Sequence, residues 1–145
     1  MKLALSLLAL LLLAAASAMA DPPPPGTPQP VPIPIRFAPG TSGGKVSGAA
    51  QRADRDIYSV GAQAGQKMTV TIKAQEDNAV FQVYPPGAAP YRDADDMVGI
   101  TGEPLPGAEG DTKHWTGPMP ATGTYLIKVG STRGNATYEL SVSLE

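Results

Sequence analysis

The sequence predicts an all-β chain folded as a single antiparallel β-sandwich of about seven to eight short strands. Three observations carry this prediction. Apolar and polar residues alternate strictly in Met68-Thr69-Val70-Thr71-Ile72-Lys73, and do so again around Tyr125, Ile127 and Val129 and from Tyr138 to Leu144. Glycine- and proline-rich turns separate these runs. Outside the first twenty residues no window shows the 3.6-residue period of an amphipathic helix. A period of two with one apolar face is what a sheet buried on one side requires. Repeated short strands between such turns describe a sandwich or a small barrel.

Residues 1–20 read as a cleaved signal peptide. Lys2 supplies the positive start, Leu3 to Ala16 is a continuous apolar run, and Ala18-Met19-Ala20 fits the small-residue cleavage site, leaving Asp21 as the mature N-terminus. The run is too short to span a bilayer, so the expectation is a soluble product, periplasmic or secreted, with no membrane insertion of the mature chain. Residues 21–34 form a proline-rich linker, with Pro22 to Pro25 in a row and then Pro28, Pro30, Pro32 and Pro34. Such a segment favours extended polyproline II and acts as a semi-rigid spacer. Near its end Val31, Ile33, Ile35 and Phe37 alternate with Pro32, Pro34 and Arg36, which suits an edge strand.

Residues 35–145 then form the sandwich domain. A short strand is expected near Lys45 to Ala50, after the turn at 39–44. A hairpin follows, Ile57 to Ala62 and Lys67 to Ala74 around Gly65, with Met68, Val70 and Ile72 inward. Ala79 to Tyr84 is the next strand, closed by Pro85-Pro86-Gly87. Thr124 to Gly130 and Ala136 to Leu144 complete the set, with Tyr125, Ile127, Val129, Tyr138, Leu140, Val142 and Leu144 inward. Trp115 is expected to cover one end of the core.

Between Pro85 and Met119 the strand pattern weakens, and six acids lie among glycines and prolines. The expectation is a long solvated acidic loop. Asp93, Asp95 and Asp96 stand close enough in sequence to raise calcium as a minor alternative, although no EF-hand spacing is present.

Several function classes fall away on composition. The chain has no cysteine, so no disulfide staples it and no thiol catalyses or binds metal. Removing Lys2 with the leader leaves ten Lys and Arg against thirteen Asp and Glu, which argues against a nucleic-acid footprint. His114 is the single histidine, so neither a zinc cluster nor a supported Ser-His-Asp triad can be assembled. No G-x-S-x-G elbow and no phosphate-binding glycine loop occurs. The expectation is therefore no enzyme, no catalytic residue and no cofactor. The charged Asp54-Arg55-Asp56 tip that leads into the first long strand is where a binding function can sit.

Two resemblances enter on these residues. Asp54-Arg55-Asp56-Ile57-Tyr58, then Ala64-Gly65-Gln66 and later Pro120-Ala121-Thr122-Gly123-Thr124-Tyr125 resemble the bacterial pre-peptidase C-terminal type of β-sandwich. From about Ile35 onward the chain more narrowly resembles the periplasmic inhibitors of g-type lysozyme. The matching residues are Arg36-Phe37-Ala38-Pro39-Gly40, Val46-Ser47-Gly48, the Asp54 to Tyr58 entry, Gly65-Gln66-Lys67, Pro120 to Gly123, Thr132-Arg133 and Tyr138. The second resemblance implies a partner, lysozyme, whose substrate groove is blocked by surface loops, with Asp54, Arg55, Asp56 and a hairpin tip at Arg133 as contact elements. It departs from the family where Arg55 stands in place of an expected aromatic residue. The chemistry suits Arg133, which should project from a tight loop between two strands, because a lysozyme groove carries a catalytic carboxylic acid and a guanidinium binds carboxylate through two parallel bonds. Capping of backbone amides at a turn explains Asp54 and Asp56 equally well. Tyr58 and Tyr125 read as core residues. The rival reading is a non-catalytic pre-peptidase C-terminal type module that binds protein, carbohydrate or calcium. Arg55 and Arg133 on one end of the sandwich favour inhibition, and opposite ends would count against it.

Overall fold

A computed structural model describes residues 28–145. The expected signal peptide and residues 21–27 of the linker lie outside the described residues. Ten strands follow one another: β1 (Ile33–Pro34), β2 (Gly43–Ala50), β3 (Arg55–Ala62), β4 (Lys67–Ala74), β5 (Ala79–Tyr84), β6 (Pro90–Arg92), β7 (Val98–Ile100), β8 (His114–Pro118), β9 (Gly123–Ser131) and β10 (Ala136–Leu144). One sheet has the order β1-β3-β9-β5 and the other β2-β10-β4-β8, with β6 and β7 as a separate pair. The β-sandwich is thus as the sequence predicts, with more strands than seven or eight. The ladders are antiparallel except that Ile33 and Pro34 pair in parallel with Tyr58 and Ser59. The last two residues of the proline-rich segment therefore already belong to a sheet edge, where Pro34 takes no donor from the ladder.

The alternation seen in the sequence becomes the core. Met68, Val70 and Ile72 of β4, Tyr125, Ile127 and Val129 of β9, and Tyr138, Leu140, Val142 and Leu144 of β10 are all buried in one cluster. Tyr125 is fully enclosed, and its hydroxyl donates to the Ala121 carbonyl at 2.6 Å. Trp115 lies inward from the edge strand β8 and donates its ring N–H to the Pro106 carbonyl at 3.0 Å. It closes the β8 side of the sandwich rather than an end.

The expected hairpin at 57–74 is not one. β3 pairs with β9 and β4 with β10, so the turn at 63–66 carries the chain from one sheet to the other. The loop at Arg133 is likewise a crossing between β9 and β10, not a hairpin tip. Alternation states which face of a strand is buried, but not which strand lies beside it. The stretch 85–119 is also more ordered than a solvated loop. β6 and β7 form a hairpin, and Val98 and Ile100 cover Ile57, Tyr84 and Leu126 on the outer face of the first sheet. The chain then runs along β5, with Leu105 N–H donating to Val83 O at 2.7 Å and Phe81 N–H to Thr112 O at 2.9 Å, before β8 joins β4. Strands of three residues are too short to display a period, so they leave no trace in the pattern.

Candidate functional site

The loops 51–54, 75–78 and 132–135 meet at one end of the sandwich. Strand alternation divides the Asp54-Arg55-Asp56 tip between three settings. Asp54 is exposed, and its Oδ1 accepts from the Arg55 amide at 2.8 Å. Arg55 opens β3 on the outward side, and its guanidinium donates to the Asp54 carbonyl at 2.7 Å. Its stem crosses the neighbouring strand over Gly130, where an added Cβ would lie 2.7 Å from the arginine Cδ and Nε. Asp56 faces inward. Its Oδ2 accepts the Tyr138 hydroxyl at 2.6 Å, and the Tyr58 and Tyr138 hydroxyls are 2.6 Å apart. With the Tyr138 proton directed to Asp56, Tyr58 donates to Tyr138.

This chain of oxygens joins the two sheets, since Asp56 and Tyr58 belong to β3 and Tyr138 to β10. The tyrosine rings meet edge to face, 6.5 Å apart at 87°. Burial first, then the hydrogen bond to Asp56, pushes the Tyr138 hydroxyl far above the ordinary tyrosine range. Burial also raises Tyr58. Gly48 is what makes room, because a Cβ there would sit 2.5 Å from the Tyr138 hydroxyl. Asp56 is therefore an acceptor on the inner side of β3, bonded to the Tyr138 hydroxyl rather than acting as a backbone cap.

Arg133 is held from beneath by a residue with no sequence signal. Asn78 is buried in the β4–β5 turn, and its side-chain N–H₂ donates to the carbonyls of Arg133 at 3.0 Å and Asn135 at 2.9 Å. The Thr132 amide donates to the Asn78 carbonyl at 2.9 Å. Arg133 itself is exposed, and its Nη2 donates to the Glu76 carbonyl at 2.6 Å. The Asn135 side-chain oxygen accepts from the Arg52 amide at 2.9 Å, tying the third loop in. Arg52, Arg55 and Arg133 line one open depression of about 520 Å³. Among the described residues none of the three makes an ion pair. The structure thus brings Arg55 and Arg133 to the same end and adds Arg52, which sequence reasoning passed over.

The acidic stretch does not gather into a metal site. Asp93 Oδ1 accepts from the amides of Asp95 and Met97, both at 2.9 Å, and Asp96 pairs with Arg92 at 3.3 Å. These are the contacts of the tight β6–β7 turn. Among the described residues no group of three or more His, Cys, Asp or Glu can hold a metal ion. The minor calcium alternative at Asp93, Asp95 and Asp96 gains no support from this arrangement.

No protein-family model matches the chain, and no curated protein does. Solved structures do. The PliG of Aeromonas hydrophila, a periplasmic lysozyme inhibitor of g-type lysozyme, is 31% identical, with 78% of this chain and 95% of that one covered and a TM-score of 0.62. The PliG of Salmonella Typhimurium, described in the same words, is 23% identical, with 78% and 96% covered and a TM-score of 0.53. The pre-peptidase C-terminal domain of a Bacillus anthracis collagenase is 14% identical, with 80% and 97% covered and a TM-score of 0.50, a likeness of fold alone. With that identity to the Aeromonas protein over nearly its whole length, the chain belongs to the PliG family of periplasmic lysozyme inhibitors.

Proposed function

We propose that the mature protein is an exported, periplasmic inhibitor of g-type lysozyme, acting without catalysis by inserting the Arg55 and Arg133 loops into the substrate groove. The observation that carries this reading is the shared depression at one end of the sandwich, where Arg52, Arg55 and Arg133 make no ion pair among the described residues. A groove with a catalytic carboxylic acid supplies the complement, and a guanidinium fork is the side chain best shaped to engage it. The PliG relatives, periplasmic and directed at g-type lysozyme, support both the partner and the compartment. Asp54 fixes the turn beside Arg55, and Asp56 works from behind through the tyrosine pair. Rigid support matters here, because ordering loops on association costs affinity.

The test is a lysis assay with purified mature protein and g-type, c-type and i-type lysozymes. Inhibition of the g-type enzyme is expected, and Arg133→Ala should weaken it about tenfold, or about 1.5 kcal/mol, as for loss of a charge-assisted contact. No inhibition of any of the three at micromolar concentration would return the chain to the broader reading of a pre-peptidase C-terminal type binding module.

A further inference from the structure

Beside the arginine end, on the outer face of the first sheet, lies a smaller depression of about 160 Å³ that shares Arg55 with it. Alternation points Arg55 of β3, Lys128 of β9 and Gln82 of β5 to this face. Register then sets Lys128 opposite Gln82, and Gly130 opposite Arg55. Because Gly130 has no side chain, Arg55 lies across β9 toward Lys128. The Gln82 side-chain oxygen accepts from the Tyr84 hydroxyl at 2.9 Å, which leaves its N–H₂ as a donor. Neither Arg55 nor Lys128 makes an ion pair among the described residues, and Lys128 has only the Tyr84 ring, 5.7 Å away.

We propose that this depression binds a phosphoryl dianion, held by Lys128, Arg55 and the Gln82 amide. Two cations converging on a partly desolvated hollow repel each other, and an anion between them removes that cost. Burial, and then the Arg55 guanidinium, hold the Lys128 ammonium below the ordinary lysine range, which marks the missing countercharge. The volume is well above the ~10–15 Å³ that one water needs on the same measure, room for one tetrahedral oxyanion and its nearest waters. Asp111 is the acid on the rim; it is exposed and lies beyond ion-pair distance of both cations. Its like charge opposes an anion in the hollow. This site shares Arg55 with the inhibitory end, while Lys128 and Gln82 belong to it and not to that depression, so its test does not require lysozyme inhibition.

The test follows the Lys128 side-chain NMR signals during titration with inorganic phosphate at constant ionic strength, with sodium chloride as reference. In parallel, vesicles of phosphatidylcholine with and without phosphatidic acid are sedimented with the protein. A saturable shift at Lys128, accompanied by a rise in its pKa, supports the site with free phosphate as the source. Sedimentation only with phosphatidic acid supports the site with a lipid-borne phosphoryl group instead. In either case Lys128→Gln should weaken binding at least tenfold, and Asp111→Asn should strengthen it. No saturable response at tens of millimolar phosphate together with no sedimentation overturns the proposal, and so does full binding by folded Lys128→Gln.

Discussion

Asn78 bears the Arg133 loop, and its chemistry predicts an unusual order of damage. Both donors of its amide meet carbonyl oxygens of that loop, while its own Oδ1 is buried with no partner among the described residues. Asn78→Ala deletes two hydrogen bonds and strands two carbonyls, a cost of about 1–3 kcal/mol. Asn78→Asp keeps the shape but sets a carboxylate against those carbonyls, so it should destabilise more than alanine does. Urea unfolding of the two variants reads the order directly, and an aspartate variant as stable as wild type would show that the amide donors do not hold the loop. Both variants should also weaken lysozyme inhibition, because Arg133 then loses its seat. The sequence could not announce this residue, since a buried asparagine in a turn looks like any exposed one. The separation of Arg55 from Asp56 comes from β3 beginning at Arg55 rather than at the expected Ile57, since adjacent residues of a strand face opposite ways.

At the scale of elements, β9 shows how a glycine in a strand can serve a neighbour's side chain. Gly130 is buried opposite Arg55, and a Cβ there would collide with the arginine Cδ and Nε. Gly130→Ala should displace that arginine at a stability cost of about 1 kcal/mol or less, because a flexible side chain can swing aside. Its loss of inhibition should match that of Arg55→Ala in the same lysis assay. If the glycine variant inhibits normally while Arg55→Ala does not, the position of the stem over β9 is irrelevant to binding. The strands that alternate over six or more residues were readable from sequence nearly to their ends, as Ala79–Tyr84 and Ala136–Leu144 show. The short β6, β7 and β8 were not. One signal for the covering hairpin was present: Leu126 is apolar on the outward side of β9, and it is buried under Val98 and Ile100.

The molecule as a whole is set by which strands choose each other, and that choice was beyond the sequence pattern. β3 and β4 are adjacent in the chain yet belong to opposite sheets, because their partners β9 and β10 arrive some seventy residues later. What then joins the sheets, besides the apolar core, is the Asp56–Tyr138–Tyr58 chain of hydrogen bonds. Its tyrosines must keep their protons, and this fixes an alkaline limit. In the unfolded chain tyrosine ionises near pH 10. In the folded protein burial holds Tyr138, Tyr58 and Tyr84 above that value, with the bond to Asp56 adding to Tyr138. Above pH 10 the unfolded state therefore binds fewer protons than the native state, so stability falls as pH rises, while below pH 10 these groups leave it unchanged. Lys128 acts in the opposite sense: lowered in the native state, it adds stability as pH climbs toward 10.5. Tyr138→Phe separates the two contributions. It should cost about 1–3 kcal/mol at neutral pH, through the lost bond and the stranded Asp56 carboxylate. It should also make the decline above pH 10 shallower than in wild type, as read by urea unfolding from pH 8 to 11. An equally steep decline in the variant would mean that ionisation elsewhere, not at the inter-sheet tyrosine, sets the alkaline limit of the fold.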